Sequence, residues 1–352
     1  MAVYTTVDDP SIYQSTLLYT GDGATDRTVT GVGFQPDLGW FWTRTATQSK
    51  HVYDAVRGET GGDYYYLVSN STDAQTTASD SLHALAADGY TMDGSAAING
   101  SGTTMAVWSW KAGTTSGISG GTITPSAYSI NTTAGFGIYT YTGNDTAGAT
   151  IAHGLGAIPE FIVVKKSDGT GSWQVYHGAN TTAPATDYLV LDGTAATADA
   201  LDRWNDTAPT TTLFSLGDAT EVNDSGNTYV AYVWTGVQGF SRFSTYKGNG
   251  NAHGPMIYCG FRPAWIMVKK TSGTDSWIIF NNKLQGFNPD NDYGYADAIT
   301  TVGTSDYIYI MSNGFWMTNT TTLLNEADST YVYAAFAEQP FANSNGVAAT
   351  AR

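Results

Sequence analysis

Five histidines, thirty-one carboxylates and a single cysteine are the residues with which this 352-residue chain could do acid–base, metal or nucleophilic chemistry. His51, His83, His153, His177 and His253 fall at unrelated spacings. Neither H-x-x-x-H nor H-E-x-x-H occurs, and no second cysteine exists to pair with the first, so the spacing of a zinc site is missing. Surface or turn positions are the expected use of the histidines, and the sequence asks for no cofactor or metal. Cys259 lies in the apolar Met256-Ile257-Tyr258-Cys259-Gly260 without a neighbouring histidine, which predicts a small buried hydrophobe. Glycoside hydrolysis needs two carboxylates across a cleft. Asp290 with Asp292, and Asp202 with Asp206, are pairs that so much aspartate produces anyway, and most of it sits in turn clusters that bond the local backbone. Asn288-Pro289-Asp290-Asn291-Asp292-Tyr293-Gly294 imitates a calcium loop but misplaces the glycine and lacks the distal glutamate. Forty glycines include no phosphate-binding G-x-x-x-x-G-K-[ST]. The chemistry points away from an enzyme.

Aromatics are the remaining signal: 23 Tyr, 13 Phe and 10 Trp. Most fall in strand-like runs and are expected to fill cores or interfaces. Tyr64, Tyr65 and Tyr66 are consecutive, and neighbours on a strand face opposite ways, so part of this run is expected at the surface. Outward tyrosines suit sugar stacking or subunit contacts, because they offer rigid area at little entropic cost.

The elements that carry these residues are written three times. Gly33-Phe34-Gln35-Pro36 leads into Leu38-Gly39-Trp40-Phe41-Trp42, Ala157-Ile158-Pro159 into Glu160-Phe161-Ile162-Val163-Val164-Lys165-Lys166, and Gly260-Phe261-Arg262-Pro263 into Ala264-Trp265-Ile266-Met267-Val268-Lys269-Lys270. Each reads as a buried strand with a proline at its first position, where the missing N–H costs no ladder bond. A Tyr-x-Gly element, at Tyr19, Tyr141 and Tyr246, precedes the proline by 17, 18 and 17 residues. A closing strand ends in Trp110, Trp234 or Phe336, at 74, 75 and 73 residues beyond the proline. Landmarks held in register over that length define one unit of about 100 residues, repeated in tandem.

The expected fold is all-β, three tandem β-sandwich modules of jelly-roll type, because the segments are short and separated by Gly, Asp, Asn, Ser and Thr. Only Thr77 to Asp88 could make a helix of two or three turns. The organisation read from the chain is an N-terminal arm over 1–14, repeat one over 15–113, a Gly/Ser/Thr-rich linker over 114–135, repeat two over 136–238, repeat three over 239–341 and a flexible tail over 342–352. The linker is expected to let repeat one sit apart, while repeats two and three, joined by the short Val237 to Ser241, pack together. The arm, with Asp8, Asp9, Pro10 and Tyr13, reads either as a loose terminus or as an attachment to a neighbouring subunit.

Charged residues are 13% of the chain, about half the usual share. A net charge of −16 without a basic cluster excludes a phosphate-backbone partner, so nucleic-acid binding is not expected. No run approaches the roughly 18 apolar residues of a membrane span. The start of the chain lacks the apolar core of a signal peptide, which predicts synthesis and folding in a cytoplasm.

The opening Thr5-Thr6-Val7-Asp8-Asp9-Pro10-Ser11-Ile12-Tyr13, with Leu18-Tyr19-Thr20-Gly21 and Gly33-Phe34-Gln35-Pro36-Asp37, resembles virion proteins of tailed, chiefly marine, bacteriophages. Gly260-Phe261-Arg262-Pro263-Ala264-Trp265, Ser312-Asn313-Gly314-Phe315 and Tyr333-Ala334-Ala335-Phe336-Ala337-Glu338-Gln339-Pro340-Phe341 are similar to the end of the same group. The resemblance implies a component exposed on the virion surface, in a tail fibre or attached to the capsid, made in the host cytoplasm and carrying no catalytic residues. Repeat two departs most, at Ala157-Ile158-Pro159. The expected function is a non-enzymatic fibre or appendage component contributing to host adhesion. A capsid decoration protein is the alternative, and a polysaccharide-degrading tailspike would need a carboxylate pair lining a groove. Expected partners are other virion proteins, further copies of the chain in a homo-oligomer, most simply a trimer, and a host surface glycan.

Overall fold

In the computed structural model, which describes residues 4–285 and 287–349, one strand order occurs three times. Gln14–Thr20, Thr104–Trp110, Leu38–Thr43, His51–Asp54 and Tyr66–Val68 lie side by side in that order. Phe136–Thr142, Thr228–Thr235, Pro159–Lys166, Gln174–His177 and Asp187–Val190 repeat it, as do Ser241–Lys247, Thr330–Pro340, Phe261–Lys270, Ile278–Asn281 and Asp290–Tyr295. Every closing strand is therefore paired antiparallel between the opening strand and the proline strand of its own repeat. A second layer covers one face of each: Arg27–Thr30 with Gly89–Met92 and Leu82–Ala86 and Ala149–Ala152 with Leu213–Leu216 as separate small sheets, and Met256–Tyr258 with Gly314–Met317 and Gly303–Met311 as a continuation of the third sheet beyond Asp290–Tyr295. The fold is all-β and sandwich-like, with two single-turn helices, Leu201–Trp204 and Thr322–Asn325, among the described residues.

The proline strands are buried along nearly their whole length, and alternation explains how. Phe41, then Ile162 and Val164, then Ile266 and Val268 point into the sandwich of their own repeat. Trp40 and Trp42, Phe161 and Val163, and Trp265 and Met267 point the other way, into one core shared by all three repeats. Trp110 lies within that shared core, with its ring edge-on to Trp265 at 5.6 Å, to Phe336 at 5.6 Å and to Trp234 at 6.2 Å. Repeat one does not sit apart. Its second apolar face has no cover except the other two repeats, and burying it outweighs the freedom of the connection.

The Tyr-x-Gly element also has a physical reason. The Tyr141 hydroxyl donates to the Val222 carbonyl at 2.6 Å and that of Tyr246 to Leu324 at 2.8 Å, while Tyr19 donates to Ile98. A methyl on Gly21, Gly143 or Gly248 would lie 2.2 to 2.3 Å from the carbonyl oxygen of Gly100, Asp224 or Glu326, so only glycine fits. Asn99, Asn223 and Asn325, each fully buried, tie the same loops to the residue after that glycine.

Several expectations need correction. Ala127–Asn131, inside the expected linker 114–135, is a strand that extends the second sheet through Phe136–Thr142, and Gly121 and Ile123 bridge to Ile151. Thr77 to Asp88 forms no helix; Leu82–Ala86 pairs with Gly89–Met92, which buries Leu82 and Leu85 where an isolated helix of that length is marginal. Pro159 does begin its strand and Pro36 precedes one, but Pro263 is third in Phe261–Lys270, at a bulge where the register shifts on both sides. The expected flexible tail folds back through an Ala342–Ala348 bridge as far as Ala349, and residues 350–352 lie outside the described residues.

Neighbouring repeats are clasped by three buried lysines. Lys165 Nζ donates to the Thr72 carbonyl of repeat one at 3.1 Å, and Lys269 Nζ to Thr194 of repeat two at 3.2 Å. Beside them the Trp173 indole donates to Val68 at 3.0 Å and Trp277 to Val190 at 2.8 Å. Repeat one exchanges the two residue types: Trp42 stands where the others have lysine, and Lys50 where they have tryptophan. Lys50 Nζ donates to the Ala298 carbonyl of repeat three, which closes the ring. Between repeats one and two, the Tyr232 hydroxyl donates at 2.6 Å to Asp54, itself paired with Arg57 at 2.5 Å and fully buried.

Burial pulls Lys50, Lys165 and Lys269 down to about 8, although Asp297 faces the first and third and Asp192 the second. Unfolded, these lysines keep their protons to about pH 10.4. From about pH 8 upward the unfolded chain therefore binds more protons, and stability rises with pH. Cys259, whose buried thiol is pushed up to about 12, opposes the rise from about pH 8.5, and the buried tyrosines oppose it from about pH 10. The guanidinium unfolding midpoint should be higher at pH 9 than at pH 7.5, and Lys165→Met should remove about a third of the lysines' contribution to that rise; a midpoint that falls over this interval contradicts the clasp.

Candidate functional site

Register puts the starts of the three opening strands at one end of the body, with Gln14 opposite Trp110, Phe136 opposite Trp234 and Ser241 opposite Phe336. The N-terminal arm and the segment after Pro340 are at this end, and so are three clefts, one at each junction between repeats. The residues around each repeat proline form a wall of each cleft. Gln35 and Asp37 line the cleft between repeats one and two, Ile158, Pro159 and Glu160 that between two and three, and Ala264 that between three and one. Their volumes are about 670, 720 and 310 Å³.

The largest cleft, of about 720 Å³, combines Glu160, Arg242, Tyr4, Tyr176 and Tyr258 around a floor that includes Phe243 and Cys259. Arg242 is exposed and stands with its guanidinium 5.6 Å from the Tyr258 ring centre. Tyr258 is 49% exposed, and the Tyr4 hydroxyl beside it donates to the Gly260 carbonyl at 2.6 Å. Partial burial raises the Glu160 carboxyl, with Arg242 and the Phe243 amide pulling it back. The equivalent Asp37 is also raised by burial, and accepts from the Ala112 amide at 2.8 Å and the Ser129 hydroxyl at 3.1 Å. Asp37 and Glu160 thus both accept across a repeat boundary and both line a cleft, and beside Glu160 the cleft also carries the exposed Arg242. A carboxylate, a guanidinium and phenols suit hydrogen bonding to a polyhydroxylated ligand. None of these residues was singled out in the sequence; the acidic residue after the proline in two of three repeats was the available signal.

The structure scatters the residues that the sequence did single out. Tyr64, Tyr65 and Tyr66 are all half-buried, and Tyr66 stacks on His51 with ring centres 4.1 Å apart. Its packing belongs to repeat one, where Tyr64 and Tyr66 border the sandwich core. The arm is bound within its own chain. Tyr4 packs on Phe341, Val7 enters the shared core, Asp8 accepts from the Ser344 amide at 2.7 Å, Asp9 caps the 3-10 turn Pro10–Ile12, Pro10 is buried, and Tyr13 lies edge-on to Phe240 at 6.0 Å. A loose terminus is thereby corrected, and the contacts of Asp8, Asp9, Pro10 and Tyr13 are intramolecular. Of the nine repeat positions, Tyr19, Tyr141 and Tyr246, and Trp110, Trp234 and Phe336, occupy equivalent places in the three sheets, as do Pro159 and Pro263, while Pro36 stands just before its strand.

Three histidines are buried rather than at surface turns. His51 is stacked, His177 meets the Tyr333 carbonyl at 3.0 Å, and His153 meets that of Thr210 at 3.2 Å; burial lowers all three, His51 and His177 to about 4. His83 stands between Asp63 at 3.2 Å and Asp93 at 2.9 Å, and His253 is exposed. Cys259 is buried, as read from the sequence. Asp290 and Asp292 lie in the strand Asp290–Tyr295, and Asn288 bonds both backbone groups of Ile310; no group of metal-ligating side chains occurs among the described residues. Gly117-Ile118-Ser119-Gly120-Gly121 has the G-x-S-x-G spacing of a nucleophile elbow, but it lies in exposed irregular chain rather than between a strand and a helix.

A family model described as a domain of unknown function, DUF7483, matches residues 9–340. The chain belongs to this family. The match runs through all three repeats and begins inside the docked arm, so the DUF7483 unit corresponds to the whole ring rather than to one sandwich. No curated protein and no solved structure matches the chain.

Val7, at 2% exposure, ties the arm into the shared core. Val7→Ala should cost about 2 kcal/mol in equilibrium unfolding. An unchanged midpoint would mean that the arm is not part of the cooperative unit.

Proposed function

We propose that this chain is a non-enzymatic structural protein on the outside of a tailed-phage virion, a fibre or appendage component contributing to host-surface adhesion. The phage assignment is supported by the sequence resemblance. The observation that carries the structural role is the ring of clasps, in which Lys165, Lys269 and Lys50 each reach the next repeat and the N-terminal arm reaches back to the third. Aromatic, basic and acidic side chains are spent on one rigid body, which suits a part that works outside a cell without disulfides. Sites that touch a host would then lie on the rim, where Arg242, Tyr258 and Glu160 border the largest cleft.

The aromatic faces that favour a homotrimer meet inside a single chain, so its three repeats already form a pseudo-trimer. A homo-oligomer of such chains would use outer surfaces. The same pseudo-threefold arrangement favours the second reading, capsid decoration, because one copy could fill a threefold position on a shell.

Cryo-EM of the particle, with the chain located by its pseudo-threefold density, tests both. Density on a tail or head appendage with the cleft end turned outward is the expected result. Density lying flat on the shell, with the cleft end against capsid subunits, supports decoration; absence from the particle removes both readings.

A further inference from the structure

The second layers of the three repeats can be compared residue by residue, because their cores align. Val29 pairs with Tyr90, Ile151 with Phe214 and Ile257 with Phe315, all buried. Gly89 and Gly314 mark the same place: a methyl on either would lie 2.0 or 1.9 Å from the carbonyl oxygen of Val29 or Ile257. Residues alternating with these point away from the core. In repeat one they are Thr28 opposite Thr91, with Ala84 beyond; in repeat two, Thr150 opposite Ser215. Repeat three has Met256 opposite Trp316, with Tyr309 beyond, and Tyr258 in the next row. Small polar residues satisfy the fold at this position twice, so the large apolar and aromatic side chains of repeat three are not there for the fold.

They form a surface. Met256 and Tyr258 are 45% and 49% exposed, and Trp316 and Tyr309 are half-buried. His253, Trp316 and Tyr309 make a row with ring centres 6.3 and 5.9 Å apart and planes inclined by 32° and 31°. The Trp316 indole N–H donates to the Gly254 carbonyl at 2.6 Å, which fixes the ring. Tyr258 leads from this row to Arg242 and Glu160 in the cleft.

We propose that this face of repeat three binds a neutral glycan, its sugar rings stacked along His253, Trp316 and Tyr309 and its hydroxyls bonded by Arg242 and Glu160. Pyranose rings present C–H faces to aromatic rings and hydroxyls at their edges, which matches a pinned aromatic row running into a polar cleft. Aromatic rows also bind single-stranded nucleic acid, but only with a basic groove, and a chain of net charge −16 opposes any polyanion, acidic polysaccharides included. The inference rests on the adhesion reading for its biological purpose, and supplies that reading with a ligand class.

The test uses the purified full chain titrated with cellohexaose, chitohexaose and maltohexaose as neutral probes and with polygalacturonic acid as an anionic one, followed by calorimetry. Saturable binding to at least one neutral probe is expected, weakened at least tenfold in Trp316→Thr and in Tyr309→Ala. Both substitutions install the residue that repeat one carries at that place, so the unfolding midpoint should stay near that of the parent. No binding to any neutral probe, binding to polygalacturonic acid alone, or equal affinity in the parent and Trp316→Thr would each overturn the inference. Binding by a chain absent from the particle would sink the adhesion reading alone, and a surface-located chain that binds none of the neutral probes would sink the glycan alone.

Discussion

Everything in this molecule depends on the three proline strands being apolar on both faces. A sandwich covers one face of such a strand; the other must find cover elsewhere or stay in water at a cost of roughly 25 cal/mol per Å². Trp40, Phe161 and Trp265 supply the second face, and only the other repeats can cover it. Three sandwiches that could otherwise have been separate are thereby forced into a ring. The short and irregular connections between them follow from that closeness, as does the strand Ala127–Asn131 within a segment rich in small residues.

Ring closure has an electrostatic side. Lysines with zero exposure are rare because desolvation disfavours the charged form. Here each ammonium points at a carbonyl across a repeat boundary, which partly offsets that cost and makes the boundary directional. The exchange of lysine and tryptophan between positions 42 and 50 keeps both groups at the boundary while reversing which strand supplies them. A geometric requirement, one cation and one indole per junction, is conserved within the chain even where the linear order is not.

The cleft end and the outer face of repeat three differ from the rest in having groups the architecture does not consume. Asp37 and Glu160 each accept across a repeat boundary, but only Glu160 has an exposed arginine, Arg242, beside it in the cleft. Thr28 and Thr91 bond each other at 3.0 Å, but their counterparts Met256 and Trp316 present a wide apolar surface. Internal repetition thus acts as its own control: what all three copies share supports the fold, whereas Met256 and Trp316 stand where the other copies manage with small residues.

The sequence by itself determined the all-β character, the threefold recurrence of Tyr-x-Gly, proline strand and closing strand, and the burial of Cys259, because these depend on local period, turn chemistry and polarity. Tertiary structure alone decided that the repeats share a core, that the arm docks on its own chain, and that Tyr64 and Tyr66 border the core of repeat one while Met256 and Tyr258 are exposed on repeat three. The physical reason is that alternation along a strand reports that two faces exist but not what covers each. Trp42 and Lys50, or Glu160 and Arg242, come together only through antiparallel pairings and junctions between residues far apart in the chain, where no linear spacing records the contact.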